Sequence, residues 1–509
     1  MLSFYPIQVL YSLLYLLSHI FYIHHPFILQ MGYSTIYEGG KALDEKIIKK
    51  LLEIFPDGLS TKEEDKIIYS RDYWPIALRW FLDKKLPALP QAIVWPESKE
   101  QIVSLIHLAN EHGIPIIPYG GGSGVMGGAV PVHGGIVVDM KRMDKIVELE
   151  DENLTVRVQT GINGMNLERK LNHHGYTLGH IPQSLYCSSL GGWLACKAAG
   201  QFSTKYGKIE DMVVALQAVL ADGSIIESRE VPRSSTGPEV EKLLIGSEGI
   251  LGIITEATLK IWSYPKKREC LSFAFESMED ALEAVRKILR RNVYPAVVRI
   301  YDEEETLRHF YDVQEAEGKC MLILLMEGVE EVVELERNVA EKICKINGTP
   351  CGEKPVHHWL ETRFNVKESS EFLPRGFIFD TVEISAPWKN SAMLYHSIIK
   401  ALKSVKGMVV ASAHASHFYP QGVCFYFTFG GIPPKGMEAY DFYISAWDAI
   451  MDECIKNKAS ISHHHGIGVT RKKWLAKEMG ERMKMLKKIK EAIDPNNIMN
   501  PGKLVVEDE

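Results

Sequence analysis

The feature that most constrains the fold is a run of glycines, YGGGSGVMGG, directly after the apolar segment IPIIP. Gly122 to Gly127 match the G-x-G-x-x-G pattern of dinucleotide-binding proteins. That pattern needs a helix directly after the loop, because the helix N-terminus holds the pyrophosphate. Here GAVPVHGG follows, whose proline and glycines are incompatible with a helix. The sequence therefore excludes a Rossmann site. It leaves either a loop whose backbone N–H groups bind an anion or a mobile surface loop.

The segments around this loop predict an α+β fold. QAIVWP, IPIIP and GIVVDM are predicted strands, and KEQIVSLIHLANEHG is a predicted helix with a glycine stop. Residues 151–153 form a predicted turn between two strands, and MVVALQAVLADGSIIE is a predicted hairpin with Asp222-Gly223 at its turn. Farther on, predicted helices such as SMEDALEAVRKILRR mix with strands such as CMLILLMEG. KKWLAKEMGERMKMLKKIKEAI is a predicted single helix that ends at Asp494-Pro495.

These patterns predict five segments. They are an apolar N-terminal segment (1–30), a helical region (31–85), an α+β domain around the glycine loop (86–265), a second domain with an antiparallel sheet (266–440) and a C-terminal, partly helical segment that returns to the first domain (441–509).

The first thirty residues are unusual. From Leu2 to Gln30 there is no Asp, Glu, Lys or Arg, and the apolar run is long enough to enter a bilayer. It lacks the basic start and the small-residue cleavage site of a signal peptide. The alternatives are a membrane anchor and an untranslated segment before a true start at Met31, and we favour the second.

Charge and cysteine usage limit the function classes. The net charge of −7 argues against a nucleic-acid partner, because a phosphate-binding surface needs a basic excess. The eight cysteines contain no C-x-x-C pair. They are therefore expected to be reduced thiols in an intracellular, cytoplasmic protein, with membrane association left open.

Three further stretches join the glycine loop in one pattern: PQSLYCSSLGGWLACKAAG, IGSEGILGIITEATLKI and DPNNIMNPGK. Together they resemble the FAD-binding oxidase and transferase family typified by vanillyl-alcohol oxidase, from about Leu86 to the C-terminus. The resemblance implies a PCMH-type FAD-binding domain of two α+β subdomains and an α/β cap domain with an antiparallel sheet. Some relatives attach the flavin to a histidine of the glycine loop. This loop has none, so non-covalent FAD is expected.

By the same resemblance, four groups of residues would bind the flavin, the first of them around the pyrophosphate. These are Pro118, Tyr119, Gly120, Gly121, Gly122, Ser123 and Gly124; Gln183, Ser184, Leu185, Tyr186, Cys187, Ser188 and Ser189; Cys196, Lys197, Ala198 and Ala199; and Gly246, Ser247, Glu248, Gly249, Ile250, Leu251 and Gly252.

The stretch SISHHHGIG holds three consecutive histidines. On a regular strand they would point alternately to opposite faces, so they could share one metal ion only on a loop. Within the family, Ser-His-His-His-Gly resembles the alkyldihydroxyacetonephosphate synthases, whereas the D-lactate-dehydrogenase-like enzymes carry Glu-His-Gly-Ile-Gly. PAVVRIYD with Arg299, VEISAPW and GVCFYFTF with Tyr426 are also similar to the synthases.

This resemblance implies a transferase of ether-lipid synthesis. It would exchange an acyl group for a long-chain alcohol on a dihydroxyacetone-phosphate headgroup, with the flavin as a nucleophile at N5 and no net redox change. The expected catalytic residues are Tyr426, Arg299, His463, His464 and His465. Tyr426 with a neighbouring histidine would shuttle a proton. Arg299 and protonated histidines would bind the phosphate. From the residues alone, without the resemblance, we expect Tyr426 to be a core tyrosine and Arg299 to be a surface arginine.

Two departures keep a second function open. The synthases carry a phosphate-contacting arginine where this chain has Ser369, and neither Lys367 nor Arg375 is aligned with it. His414 and His417 precede Tyr426 roughly where the dehydrogenases hold a metal-ligand histidine.

The alternative is therefore an FAD-linked D-2-hydroxyacid oxidoreductase, and a third is a non-catalytic flavin-binding protein. No metal is expected, with a site of His417, Tyr426 and His464 as the lesser option. The expected partner is a small-molecule or lipid-like substrate, with peripheral membrane contact and a homodimer as open questions.

Overall fold

The protein was analysed as a computed structural model that describes residues 42–83, 86, 88–365 and 375–505. The predicted N-terminal segment 1–30, Lys367 and Ser369 lie outside the described residues. Within the described ranges, no helix combines the length and the apolar character needed to cross a membrane.

A four-stranded sheet lies under the glycine loop. Its order is β1 (Leu59–Ser60), β2 (Ala92–Val94), β4 (Ile136–Asp139) and β3 (Ile116–Tyr119). β2 and β3 both run parallel to β4, whose first three residues are fully buried, as expected for a parallel sheet covered on both faces. The helix Lys99–His112 connects β2 to β3 and ends at Gly113, whose φ of +62° is the left-handed conformation that glycine adopts without strain. The predicted strands and helix are therefore present, and the glycine loop begins at the carboxyl end of β3.

A second, five-stranded antiparallel sheet follows. Its order is β5 (Ile146–Glu150), β6 (Thr155–Gln159), β10 (Gly252–Lys260), β8 (Val213–Leu220) and β9 (Ile225–Glu227), and β7 (Tyr176–Thr177) pairs separately with β11 (Trp262–Ser263). Both predicted turns are confirmed, because β5 pairs with β6 and β8 with β9. A short helix, Leu190–Cys196, was not predicted. It begins at Ser189, whose side chain accepts a hydrogen bond from the Gly192 N–H.

The third sheet is antiparallel and has seven strands. Its order is β15 (Thr349–Pro350), β12 (Lys267–Phe275), β14 (Cys320–Gly328), β13 (Val297–Tyr301), β17 (Met408–Tyr419), β18 (Gly422–Gly431) and β16 (Ile378–Pro387). Register places Tyr426 of β18 opposite His414 on one side and opposite Glu383 on the other. Arg299 of β13 lies opposite Ser416. The pairing of distant segments thus brings these side chains together.

Helices surround the three sheets. Besides those already given, they are Glu45–Ile54, Glu63–Ile68, Pro75–Leu82, Gly164–His173, Ser203–Tyr206, Ile209–Met212, Met278–Leu289, Glu303–His309, Glu330–Cys344, Lys354–Thr362, Ser391–Ser404, Ala439–Lys456, Lys472–Met479 and Glu481–Ile493.

The C-terminal region differs from the prediction in two respects. The predicted single helix is two helices, because Gly480 between them has a φ of +53° and leaves the helical conformation. The predicted boundary at residue 440 falls within the first turn of the helix Ala439–Lys456. The segment does return to the first sheet, where Ile116 N–H donates to the carbonyl of Ile498. All eight cysteines are free thiols.

Candidate active site

The four predicted flavin-binding stretches lie against one another. A Cβ on Gly120 would overlap the Ser189 hydroxyl, and one on Gly121 would overlap the carbonyl of Cys187. Only glycine permits so close an approach of two backbones. Ala195, directly before the third stretch, accepts a hydrogen bond from Glu248 N–H of the fourth.

The residues present fit a bound dinucleotide. None of the N–H groups from Gly120 to Gly124 donates to another described residue, and unpaired N–H groups of this kind suit a diphosphate. His180, which the sequence did not indicate, is fully buried beside Trp193 with neither ring nitrogen hydrogen-bonded to the protein. A buried polar group without a partner is costly. His180 is therefore well placed to meet a polar group of the cofactor.

The three histidines lie on a loop, not on a strand. Glu383 of β16 holds this loop, because its carboxylate accepts the N–H groups of His464 and His465 at 3.0 and 2.6 Å. Arg471 pairs with the same carboxylate, and both side chains are fully buried. Although burial opposes it, Arg471 lowers the pKa of Glu383 to about 2. Glu383 is thus a fixed anion that shapes the loop.

A second carboxylate anchors the residues after the histidines. Glu248 accepts the N–H groups of Ile467 and Gly468 at 2.6 and 2.8 Å. Glu248 belongs to the fourth predicted flavin-binding stretch. The histidine loop is therefore attached directly to the predicted cofactor site.

Tyr426 lies at the centre of a hydrogen-bonded chain of six side chains. Its hydroxyl is 2.9 Å from Nε2 of His417 and 2.8 Å from Nε2 of His464. His417 Nδ1 is 2.7 Å from the Ser203 hydroxyl. On the other side, Nδ1 of His464 is 2.9 Å from Nδ1 of His463, whose Nε2 is 2.8 Å from the Tyr419 hydroxyl. Ser203 and Tyr419 were not predicted, and only the structure shows that the chain passes through them.

Burial favours the uncharged forms of the titratable side chains in this hydrogen-bonded row. Burial lowers the pKa of His417, His463 and His464 well below the ordinary histidine value, and it also lowers the pKa of His465. Burial raises the pKa of Tyr426 well above that of an ordinary tyrosine. The expectation that protonated histidines bind a phosphate is therefore not supported by their surroundings.

Because the rings are neutral, all the hydrogen bonds in this row of side chains must be donated in the same direction at any one time. A neutral histidine carries one N–H and one acceptor nitrogen. If Tyr426 donates to His464, that ring donates from Nδ1 to His463, which donates from Nε2 to Tyr419. If Tyr426 donates to His417, that ring donates from Nδ1 to Ser203. Tyr426 can thus pass a proton toward Tyr419 or toward Ser203 along existing hydrogen bonds, and no side chain has to move.

His414 lies beside Tyr426, and the charge of Arg299 acts on it. The His414 ring stacks on Tyr426 with centroids 4.6 Å apart, and its Nδ1 is 2.8 Å from the carboxylate of Glu305. Although burial opposes it, the charge and hydrogen bond of His414 lower the pKa of Glu305. Arg299 partly offsets the effect of burial on the Tyr426 pKa, so its positive charge reaches the site.

Two sets of side chains lie close enough together to hold a metal ion. Among the described residues, Cys424, His463 and His464 form one set that could hold a metal, and Glu383, His464 and His465 form another. In the other metal site considered from the sequence, His417, Tyr426 and His464 lie at hydrogen-bond distances from one another's ring or hydroxyl atoms, with Tyr426 in the middle. Two ligands of a tetrahedral zinc ion would be about 3.4 Å apart. The geometry favours proton transfer over metal binding at Tyr426.

Comparison with known proteins identifies the family of the chain. Residues 90–229 match the model of the FAD binding domain, and residues 264–504 match that of the C-terminal domain of FAD linked oxidases. An alkyldihydroxyacetonephosphate synthase of Dictyostelium discoideum is 32% identical over 82% of this chain and 73% of its own length. The uncharacterized FAD-linked oxidoreductase YgcU of Escherichia coli K12 is 33% identical over 81% and 88%, respectively.

Solved structures show the same fold. One of an alkyldihydroxyacetonephosphate synthase superposes with a TM-score of 0.79 at 29% identity, over 96% of this chain and 92% of the other. p-Cresol methylhydroxylase, at 18% identity, superposes with a TM-score of 0.73 over 90% of this chain and 96% of its own, which shows the fold alone. The fold is that of proteins with a PCMH-type FAD-binding domain. The chain belongs to the FAD-linked oxidase family, and FAD is the cofactor that its domains indicate.

Proposed function

We propose that the protein is a transferase resembling alkyldihydroxyacetonephosphate synthase, with non-covalently bound FAD. It exchanges the acyl group of an acylated dihydroxyacetone-phosphate headgroup for a long-chain alcohol. The observation that carries this proposal is the position of Tyr426 between two neutral histidines, beside a histidine loop that is attached to the predicted cofactor site.

The reaction needs a group that moves protons without becoming charged. The incoming alcohol loses its proton as its oxygen bonds to the headgroup carbon, and the departing acyl group leaves as a carboxylate. The chemistry that FAD would supply when bound is that of a nucleophile for this exchange. Tyr426 accepts a proton on its oxygen while it passes its own to His464 or His417, so no phenolate forms in a site that disfavours charge.

Glu383 and Arg471 keep this geometry. Their pairing joins β16 to the segment that follows the histidine loop, and both side chains are fully buried, so neither is available to a substrate. We assign them the role of positioning His464 and His465 through the backbone. Arg299, which the sequence indicates as a catalytic residue, supplies positive charge beside Tyr426.

A second candidate is an FAD-linked oxidoreductase of a D-2-hydroxyacid. The sequence identity to the oxidoreductase YgcU is as high as that to the synthase, and this supports the oxidoreductase as a second candidate function. His417 also contacts Tyr426 directly, so a histidine–tyrosine pair is available to take the hydroxyl proton of a hydroxyacid.

The two candidates differ in their products. Purified protein loaded with FAD is incubated with acyl-dihydroxyacetone phosphate and a fatty alcohol labelled with heavy oxygen, and the lipids are analysed by mass spectrometry. The proposal expects an ether that retains the label, without any electron acceptor. Absence of ether, together with reduction of an acceptor dye by a D-2-hydroxyacid, would establish the oxidoreductase instead.

The Tyr426→Phe variant tests the assigned residue. Removal of a positioned proton donor typically slows a reaction by about 10²- to 10⁴-fold. Tyr311→Phe is the matched control, because Tyr311 is 81% exposed. We expect the control to keep wild-type turnover and both variants to keep the flavin spectrum. Wild-type turnover of Tyr426→Phe would refute the role of Tyr426.

A further inference from the structure

The hydrogen-bonded row of six side chains around Tyr426 ends in a hydroxyl group on each side. Ser203, which is 2% exposed, ends the row beyond His417, and Tyr419 ends it beyond His463. Because all the hydrogen bonds of the row are donated in one direction, the hydroxyl at one of the two ends always has a proton left to donate. A donor without an acceptor inside a protein is costly, so this last proton needs a partner.

The fold holds the two ends of the row close together. The row doubles back on itself, because the ring of His417 stacks on that of His463, with centroids 5.2 Å apart and planes 21° apart. The Phe418 N–H also donates to the Thr204 hydroxyl at 3.1 Å. Phe418 and Thr204 are the sequence neighbours of the two end residues, so this bond ties the ends to each other.

A bulge in β17 makes this arrangement possible. Side chains alternate between the two faces of a regular strand. Because His414 lies opposite Tyr426 in the sheet, His417 would then point away from Tyr426. The register of β17 shifts at His417, whose φ of +55° is rare for a residue other than glycine. The bulge turns His417 and, two positions on, Tyr419 toward the face that carries Tyr426.

Ser203 also acts on Tyr419. Burial raises the pKa of the Tyr419 hydroxyl, whereas a hydrogen bond with Ser203 lowers it. A serine hydroxyl carries one donor proton and two lone pairs, so Ser203 can accept from Tyr419 and donate to His417 at the same time. The proton left over at one end of the row thus has its acceptor at the other end.

We propose that the contact between Ser203 and Tyr419 closes the row into a hydrogen-bonded ring, in which each member donates one hydrogen bond and accepts one. The six members are Ser203, His417, Tyr426, His464, His463 and Tyr419. The inference rests on the proposed function in that Tyr426 is the member that exchanges a proton with the substrate. Ser203 and Tyr419 are positioning residues, which act on Tyr426 through the histidines.

The ring gives the proton of the incoming alcohol a place inside the site. The O–H bond of the alcohol breaks and an O–H bond forms on Tyr426, whose own proton passes to His464 or His417. The added positive charge is then shared among the three histidines, because each proton shift moves it to the next ring. After the ether has left, the proton returns through Tyr426 to water. A closed ring therefore needs no proton exit at Ser203 or Tyr419.

A double-mutant cycle tests the closing contact. Ser203→Ala and Tyr419→Phe each remove one of its two hydroxyl groups, and the double variant removes both. Tyr311→Phe, at an exposed tyrosine, is the control, alone and combined with Ser203→Ala. The melting temperature of each FAD-loaded protein, which needs no substrate, is measured together with kcat and KM. Flavin absorbance reports that each variant is loaded.

Opening the ring at either hydroxyl should lower kcat by roughly fivefold to thirtyfold and leave KM little changed. A second opening adds little to the first, so the double variant should match the slower single variant within about twofold. Its melting temperature should likewise stay close to that of the less stable single variant. The effects of Ser203→Ala and Tyr311→Phe should combine independently. Rate losses that multiply, or falls in melting temperature that add, in the Ser203 and Tyr419 cycle would overturn the ring.

The reaction used for kcat separates this inference from the proposed function. Turnover is followed with acyl-dihydroxyacetone phosphate and a fatty alcohol or, where no ether forms, by reduction of an acceptor dye with a D-2-hydroxyacid. Absence of ether counts against the proposed function alone, because the cycle compares the same reaction across its variants and the melting temperatures need no reaction. Wild-type kcat and wild-type melting temperature in Tyr419→Phe would overturn the ring whichever reaction is used.

Discussion

Glutamine in place of Glu383 removes one charge from a fully buried ion pair and leaves Arg471 without a counterion. The same carboxylate accepts the N–H groups of His464 and His465, so the substitution also weakens the anchor of the histidine loop. Glutamine preserves the shape of the side chain. We therefore expect the change to act through charge and hydrogen bonding rather than through a cavity.

Glu383→Gln should lower the free energy of unfolding substantially. Removal of one partner of a buried ion pair costs about 3–5 kcal/mol. Independently, a fall in the Glu383 pKa from 4.5 to about 2 corresponds to roughly 3 kcal/mol of stability. Because the pKa is lowered in the folded state, this contribution is complete above pH 4.5 and is lost as the pH falls toward 2. The difference between wild type and Glu383→Gln should therefore be largest at neutral pH and should narrow below pH 4.5.

Urea unfolding of the FAD-loaded protein, followed by circular dichroism at neutral and acidic pH, measures this difference. The control is Glu283→Gln, whose partner Arg286 is at the surface, and such pairs contribute less than about 1 kcal/mol. A Glu383→Gln variant within about 1 kcal/mol of the wild type at neutral pH, or a difference that grows in acid, would refute the reasoning.

Three further predictions follow from the same contacts. Gly121→Ala should lose FAD on desalting, since its methyl group would overlap the Cys187 carbonyl; flavin retained in stoichiometric amount would contradict the packing of the two stretches. Ser203→Ala removes the hydrogen-bond partner of His417. It should lower kcat by roughly fivefold to thirtyfold and leave KM little changed. Steady-state kinetics measure this effect, with Thr204→Ala as the control. Because burial lowers the pKa of His417 and His464, kcat/KM should show no acidic limb near the ordinary histidine value of about 6.5, and a limb at that pH would contradict neutral rings.

Local sequence patterns predicted much of the fold. The helix ending at Gly113, the hairpin at Asp222-Gly223 and the missing helix after the glycine loop all follow from turn chemistry and from proline and glycine placement. The break at Gly480 was missed because the apolar spacing continues across it, although the glycine itself was the available signal. Helix Leu190–Cys196 was missed because its small residues carry little apolar periodicity.

The site was only partly predictable. Tyr426 and the three histidines were found through the family resemblance. Ser203, Tyr419 and Glu383 were not, since each reaches the site through the pairing of strands or helices far apart in sequence. The unpaired ring nitrogens of His180 have no sequence signature at all, because a missing partner is a property of the folded surroundings.

The most direct test of the central claim is an anaerobic single-turnover experiment that records flavin absorbance and products together. FAD-loaded protein is mixed with acyl-dihydroxyacetone phosphate and then with a fatty alcohol, and separately with a D-2-hydroxyacid. Non-redox transfer predicts that the oxidised flavin spectrum returns after the alcohol is added, that one equivalent of ether forms and that the hydroxyacid leaves the spectrum unchanged. Lasting loss of the oxidised spectrum with the hydroxyacid, and no ether with the lipid, would contradict it.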